Sequence, residues 1–282
     1  MPRTCLLTDS AAQFPNYTFS GQEHVRVVSY DVQLNGITYP GGGDLKASDL
    51  PNSAGERLAP GLISPTRDSF AELFLALGKE FDSILTLVQS DHLSRAYENA
   101  SAAATSQTAG RDIVVVNSQT TSVGQGILVQ LAAEALAAGA SFTEIEHLVR
   151  RQIPHIYTLI CTPGLSYLFH AGLVEHAQAV AGELLNFITV YSLEEERLTP
   201  LEKVRNYRNT IEVFTEFLEE FDKLNHIALI QGAPPLISET RSIRQFFQDT
   251  YPETTYSEHN LNLPLSIIFG PRVIGLVAAE QV

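Results

Sequence analysis

Residues 112–116 read Asp-Ile-Val-Val-Val, a β-branched run without polar alternation, which suits a strand covered on both faces. A parallel sheet flanked by helices supplies that cover. Short apolar runs at residues 4–8, 25–34 and 83–88 also read as strands, and between them Phe70, Leu73, Phe74 and Leu77 fall at helical spacing. Ile127, Leu131 and Ala135 mark a further helix, ending at Gly139. The first half is therefore a succession of β-α-β units, which predicts a mostly parallel sheet flanked by helices.

The helix that begins near Ser141 is interrupted at Pro154, because proline disfavours helical backbone at the residue before it. A domain boundary is expected there, between an N-terminal α/β domain of residues 1–154 and a C-terminal α/β domain of residues 155–282. A length of 282 residues suits two ordinary domains, and 44% hydrophobic content provides for a sizeable core. The second part opens on a strand at residues 156–161 and carries an amphipathic helix in which Ile211, Phe214, Leu218 and Phe221 share a face. Further strands are expected at residues 226–230, 254–257, 265–269 and 273–278, giving a mixed sheet with helices.

Charge excludes one class of partner. With 32 acids against 18 Lys and Arg the chain stands at −14, so nucleic acid is not an expected partner. A carboxylate ligand meets the same repulsive field and needs local donors to overcome it. Gln130 and Glu134 interrupt the longest apolar stretch, so no segment reaches the ~20 apolar residues of a spanning helix. The N-terminus reaches Asp9 before a signal-type apolar region is complete, and Cys5 and Cys161 lie in strand-like runs. These features predict buried thiols and a cytoplasmic protein.

Several motifs follow one another along the chain. Leu6-Leu7-Thr8-Asp9-Ser10 closes the first strand, and Val27-Val28-Ser29-Tyr30-Asp31-Val32 precedes the acidic glycine turn Tyr39-Pro40-Gly41-Gly42-Gly43-Asp44. Two loops follow, Leu62-Ile63-Ser64-Pro65-Thr66 and Ser90-Asp91-His92-Leu93-Ser94-Arg95-Ala96-Tyr97, and then Asn117-Ser118 with Gly124. The second half adds residues 168–173, Glu202-Lys203-Val204-Arg205 and Gly270-Pro271. Each motif alone is weakly specific, but their joint order across nearly the whole chain resembles the bacterial DegV family of fatty-acid-binding proteins.

The resemblance implies two α/β domains with one long-chain fatty acid in an apolar tunnel at their junction. The carboxylate would meet hydroxyls and backbone N–H groups of the two loops, and the protein would act as a lipid carrier or presenter, not an enzyme. No cofactor is implied beyond the fatty acid, and a lipid-kinase partner is implied by the best-studied members. Carried onto this chain, the ligand-binding set is Leu62, Ile63, Ser64, Thr66, Leu93, Ser94, Arg95, Ile268 and Arg272.

The chain departs from the family pattern near the head group. Ile268 stands for a histidine, Leu62 or Ile63 for a threonine, Arg95-Ala96 for Gly-Thr, and Arg272 for a glycine, while Leu173 stands near an expected arginine. Ser94 is retained. Arg95 and Arg272 read either as guanidinium forks for an anion or as surface arginines paired with acids. Ser94 reads equally as a helix N-cap, and a helix N-terminus also attracts an anion. Two other readings stay open: an enzyme acting on a lipid-like acid with Ser94 and an arginine in its cleft, and a degenerate member kept for partner binding. A missing general base weighs against the enzyme.

Other motifs are set aside. Pro40-Gly41-Gly42-Gly43-Asp44 lacks the Gly-Lys-Ser/Thr ending of a phosphate loop and reads as a turn. Gly124-Gln125-Gly126 lacks the third glycine of a dinucleotide fingerprint and reads as helix packing. Ser166 lacks the second glycine of a hydrolase elbow, and the eight histidines show no metal-ligand spacing. Phe187, Phe214 and Phe221 read as core residues before tunnel walls.

Overall fold

The computed structural model of the protein describes residues 3–55, 58–106, 112–194 and 197–280. In chain order the first half carries β1 (Thr4–Asp9), β2 (Val25–Val28), β3 (Asp31–Leu34), β4 (Ile37–Tyr39), β5 (Gly61–Ile63), α1 (Arg67–Leu77), β6 (Ser83–Val88), α2 (Ala96–Ser106), β7 (Asp112–Asn117), α3 (Ser122–Ala137) and α4 (Phe142–Gln152). Strands β2-β1-β6-β7 form the expected parallel sheet, with Leu6 opposite Leu85 and Leu85 opposite Val114. Every residue of β1 and β6 is buried, as the unalternating runs require.

The single strand expected at residues 25–34 is instead two. The chain leaves the parallel sheet at Ser29-Tyr30, and β3 joins β4 and β5 in a separate antiparallel sheet. Tyr30 causes the break: its N–H donates to Ser10 Oγ at 3.0 Å and its ring is buried, so the backbone turns away from β1 at that residue.

The second half contains β8 (Ile156–Pro163), α5 (Ser166–His170), α6 (His176–Leu185), β9 (Ile188–Glu194), β10 (Arg197–Val204), α7 (Tyr207–Leu218), β11 (Leu224–Gln231), α8 (Ile237–Thr250), β12 (Thr255–Asn260), α9 (Leu263–Phe269) and β13 (Ile274–Glu280). The sheet order is β10-β9-β8-β13-β11-β12, mixed as expected, with β11 and β12 its parallel pair. Residues 265–269, expected as a strand, form helix α9. Asn262 caps it by accepting from the Leu265 N–H, Pro264 lies in the first turn, and Pro264 through Phe269 are all buried. A short helix buried on every side has no amphipathic period, so its sequence is indistinguishable from that of a buried strand. Sequence patterning also missed β10, an edge strand whose residues are mostly exposed and whose register shifts between Pro200 and Glu202.

Helix α3 joins the two halves, packing on β1 and β6 of one sheet and on β8 and β13 of the other. Cover on both sides explains why Val123, Gly126, Val129 and Ala133 are buried, whereas the Ile127, Leu131 and Ala135 stripe is only partly so. The six-stranded sheet has two apolar faces. Leu159, Leu229 and Leu276 lie under Phe214 and Phe247 of α7 and α8, while Ile160, Ile230 and Val277 face a core shared with the first half. Phe214 and Phe221 belong to the outer core, Phe221 stacking near Tyr157. Cys5 and Cys161 are both buried and free.

Candidate functional site

The loops at the C-terminal ends of β1, β5, β6 and β7 gather at one edge of the parallel sheet, where α/β proteins bind ligands. Asp9, the last residue of β1, is completely buried. Its Oδ1 accepts from the Ala11 N–H at 3.0 Å and from Gln125 Nε2 at 3.1 Å. Its Oδ2 accepts from the Gln89 N–H at 2.8 Å and from the Tyr30 hydroxyl at 3.0 Å. Burial pushes the Asp9 carboxyl above the usual carboxylate range, and these donors pull it back down. The Tyr30 oxygen lies 2.9 Å from Ser94 Oγ, so an unbroken chain runs from the buried acid to the half-buried serine.

Ser94 also accepts from the Ala96 N–H at 3.3 Å, where α2 begins. The two loops singled out in the sequence are fastened together: the Arg95 N–H donates to Ser64 Oγ at 3.1 Å, and Asn99 Nδ2 donates to the Pro65 carbonyl at 2.8 Å. Thr66 is the N-cap of α1, accepting from the Ser69 N–H at 3.1 Å. Leu62 is partly buried between two apolar clusters, Leu93 is buried, and Ile63 points outward at the edge of its strand. Ser90 Oγ, four residues before Ser94, is buried without a hydrogen-bond partner.

The two arginines do not converge on this chain of hydroxyls. The Arg95 guanidinium is exposed and pairs with Glu98, Nε to Oε2 at 3.0 Å. Arg272 is exposed, and its carbonyl accepts from the Tyr207 hydroxyl at 2.8 Å on the α7 side of the second half. Ile268 is buried in the core that the two halves share.

Polar contacts sew the halves together beside the site. Thr120 Oγ1 lies 2.8 Å from Thr158 Oγ1, Asn262 Nδ2 donates to the Ala11 carbonyl at 2.7 Å, and Gln13 Nε2 donates to the Asn260 carbonyl at 2.8 Å. A crevice of about 520 Å³ opens between the halves along Gln13, Tyr17, Glu258 and His259. It is polar, and its one carboxylate is held by Arg244, Tyr256 and Gln231. The buried His226 and the half-buried His259 share the Ser257 hydroxyl, at 2.8 and 2.9 Å, and lie on β11 and β12.

Sequence reasoning singled out Ser94 and Ser64 but missed Asp9, Tyr30, Gln125 and Ser90 as members of one site. A signal was present for Asp9: an acid that ends a strand built around Cys5-Leu6-Leu7 must find buried donors.

A family model described as an uncharacterised protein of the DegV family matches residues 3–281. A DegV domain-containing protein of Caldanaerobacter subterraneus subsp. tengcongensis is 26% identical over 219 residues, 78% of this chain and 78% of that one. Among solved structures, a fatty-acid-binding DegV family protein from Thermus thermophilus aligns with a TM-score of 0.81 at 24% identity, over 99% of this chain and 100% of that one. The Streptococcus pneumoniae fatty acid kinase (Fak) B3 protein, solved loaded with linoleic acid, aligns with a TM-score of 0.85 at 15% identity, over 99% of this chain and 100% of the other. At these identities the solved structures establish a common fold. Because the family model matches from residue 3 to residue 281, the chain belongs to the DegV family.

Proposed function

We propose that the protein binds one long-chain fatty acid and serves as its carrier or presenter. The observation that carries this reading is the fastening of the Ser64 and Ser94 loops at a sheet edge that backs onto the apolar core shared by both halves. In this reading residues 1–154 and 155–282 are two domains and the tail lies between them. Ile160, Leu168, Ile230, Ile268 and Val273 supply apolar surface there. Each buried CH₂ contributes about 0.8 kcal/mol, so a long tail supplies most of the affinity while a few polar groups fix the head. The Thermus thermophilus protein, described as binding fatty acid, and the Streptococcus pneumoniae protein, loaded with linoleic acid, support the ligand class.

Ser94 is the proposed head-group hydroxyl, with the unpartnered Ser90 Oγ behind it. Ser64, Thr66, Leu62, Ile63 and Leu93 shape the loops around it, and Ile268 lines the apolar side. Arg95 and Arg272 complete the proposed set only as surface charges, Arg95 in the Ser94 loop and Arg272 on the α7 side of the second half. A kinase that acts on the presented lipid is the proposed partner, the cytoplasm the proposed place, and the fatty acid the sole proposed ligand. No helix among the described residues is long and apolar enough to cross a membrane.

Denaturing organic extraction of protein produced in bacteria is expected to release a saturated or monounsaturated fatty acid of about C14 to C18, about one per chain. An extract of undelipidated protein without any acyl species overturns the reading. Ser94→Ala is expected to cost roughly 1.5–3 kcal/mol of binding, or one to two decades in Kd, with the fold retained. Because Glu98 already holds its guanidinium in solvent, Arg95→Gln should weaken binding less than Ser94→Ala does. The reverse order, with a loss that shrinks for the methyl ester, would make Arg95 the anchor.

A further inference from the structure

The chain Asp9–Tyr30–Ser94 has a direction. With Asp9 ionised, all four of its lone-pair positions face donors, and the Tyr30 proton is one of them. The Tyr30 oxygen then accepts the proton of Ser94, 2.9 Å away. Ser94 is left with the Ala96 N–H on one lone pair and a second lone pair for a ligand. In this state it offers an incoming head group an acceptor and no proton.

A fatty-acid carboxylate is acceptor-only, so it cannot bind that Ser94 without a change. If both carboxylates stayed charged and each took its own proton from the nearer hydroxyl, the Tyr30 and Ser94 oxygens would face each other at 2.9 Å with no proton between them. One added proton resolves the conflict in either of two ways. It can sit on Asp9, which then donates to Tyr30, Tyr30 to Ser94, and Ser94 to the ligand. It can equally sit on the ligand, which donates to Ser94 with the chain unreversed. The proton comes from water and belongs to the pair.

We propose, resting on the reading of Ser94 as the head-group hydroxyl, that Asp9 and Tyr30 are positioning residues that make fatty-acid binding take up one proton. Tyr30 is the titratable group facing Asp9; Gln89 after β6 and Gln125 of α3 are neutral. Gln89 and Ser94 are the neutral groups acting on Tyr30. Asp91, His92 and Arg95, in the loop of Ser94, are exposed, and Ser64 of the adjoining loop is neutral. Burial raises Asp9, which brings its protonated form within reach.

The test is calorimetric titration of delipidated protein with palmitate in two buffers of different ionisation enthalpy, repeated across pH. Uptake of about one proton per palmitate is expected, with Kd rising about tenfold per pH unit between the titration of the free groups and that of the pair in the complex. Hexadecanol, which carries its own proton to Ser94, should bind with none. Tyr30→Phe cuts the chain and frees the Ser94 proton for the ligand, so uptake should fall toward zero and the pH slope should flatten. Palmitate binding to the wild type without uptake, full uptake by Tyr30→Phe, or uptake with hexadecanol each overturns the relay while leaving fatty-acid binding intact. Failure of palmitate to bind, or a Ser94→Ala protein with unchanged affinity and uptake, removes the underlying head-group assignment and the relay with it.

Discussion

Asp9→Ala is expected to bring the protein close to unfolding. The substitution leaves the Ala11 and Gln89 N–H groups, Gln125 Nε2 and the Tyr30 hydroxyl without their acceptor in a site closed to water. Each stranded buried donor costs about 1–3 kcal/mol, so four of them approach the 5–15 kcal/mol by which a typical protein is stable. Removing the acid also removes the desolvation of its charge, which offsets part of the loss. A net destabilisation of at least about 4 kcal/mol should appear in urea unfolding. Asp9→Asn keeps the acceptor toward Ala11 and Gln125 but turns an NH₂ toward the Gln89 N–H, so its loss should be smaller, about 2 kcal/mol. An Asp9→Ala protein within about 1 kcal/mol of wild type would mean that the buried carboxylate organises nothing.

Gly126→Ala should destabilise strongly, against the general rule that alanine improves a helix by about 1 kcal/mol over glycine. A Cβ at Gly126 would lie 1.9 Å from the Gln13 carbonyl oxygen and 2.6 Å from its carbon. The obstacle is backbone, which cannot rotate away as a side chain does. Overpacking of this kind costs about 1–3 kcal/mol and sometimes more, and a value near 3 kcal/mol corresponds to a fall of roughly 6–12 °C in Tm by calorimetry. Fatty-acid affinity should fall as well. Residues 11–13 hold the Asp9 carboxylate through the Ala11 N–H and clasp the second half through the Ala11 carbonyl and Gln13 Nε2. Gly55, where an added Cβ meets nothing within 4 Å, is the control, and Gly55→Ala should stay within about 0.5 kcal/mol. A Gly126→Ala protein as stable as that control would show that α3 does not press on the β1 loop.

Those two residues also mark the limit of what can be read from sequence. The runs of β1 and β6 declare a parallel sheet, because two-sided burial removes polar alternation, whereas the run at residues 112–116 lies on the edge strand β7, where Ile113, Val114 and Val115 are only half-buried. The end of α4 at Gln152 was legible near Pro154, but not for the reason proline offers: Ile153 keeps helical backbone, and a 3-10 turn of Ile153–His155 precedes β8 at Ile156. The small residues of Gly124-Gln125-Gly126 were legible as packing, though not what they pack against. Helix α9 was not legible, since a segment buried on all sides erases the period that separates helix from strand.

Ser94 and Ser64 stood out in the order of motifs as candidates, and the sequence by itself determined the sheet type. Only the tertiary structure decided that Asp9, Tyr30 and Ser94, at positions 9, 30 and 94, form one hydrogen-bonded chain, and that the Arg95 guanidinium turns to Glu98 rather than to Ser94. The physical reason is range. Periodicity and propensity act over a few residues, whereas a buried acid finds its donors through the pairing of β1 with β6 and the docking of α3, across separations of 80 and 116 residues.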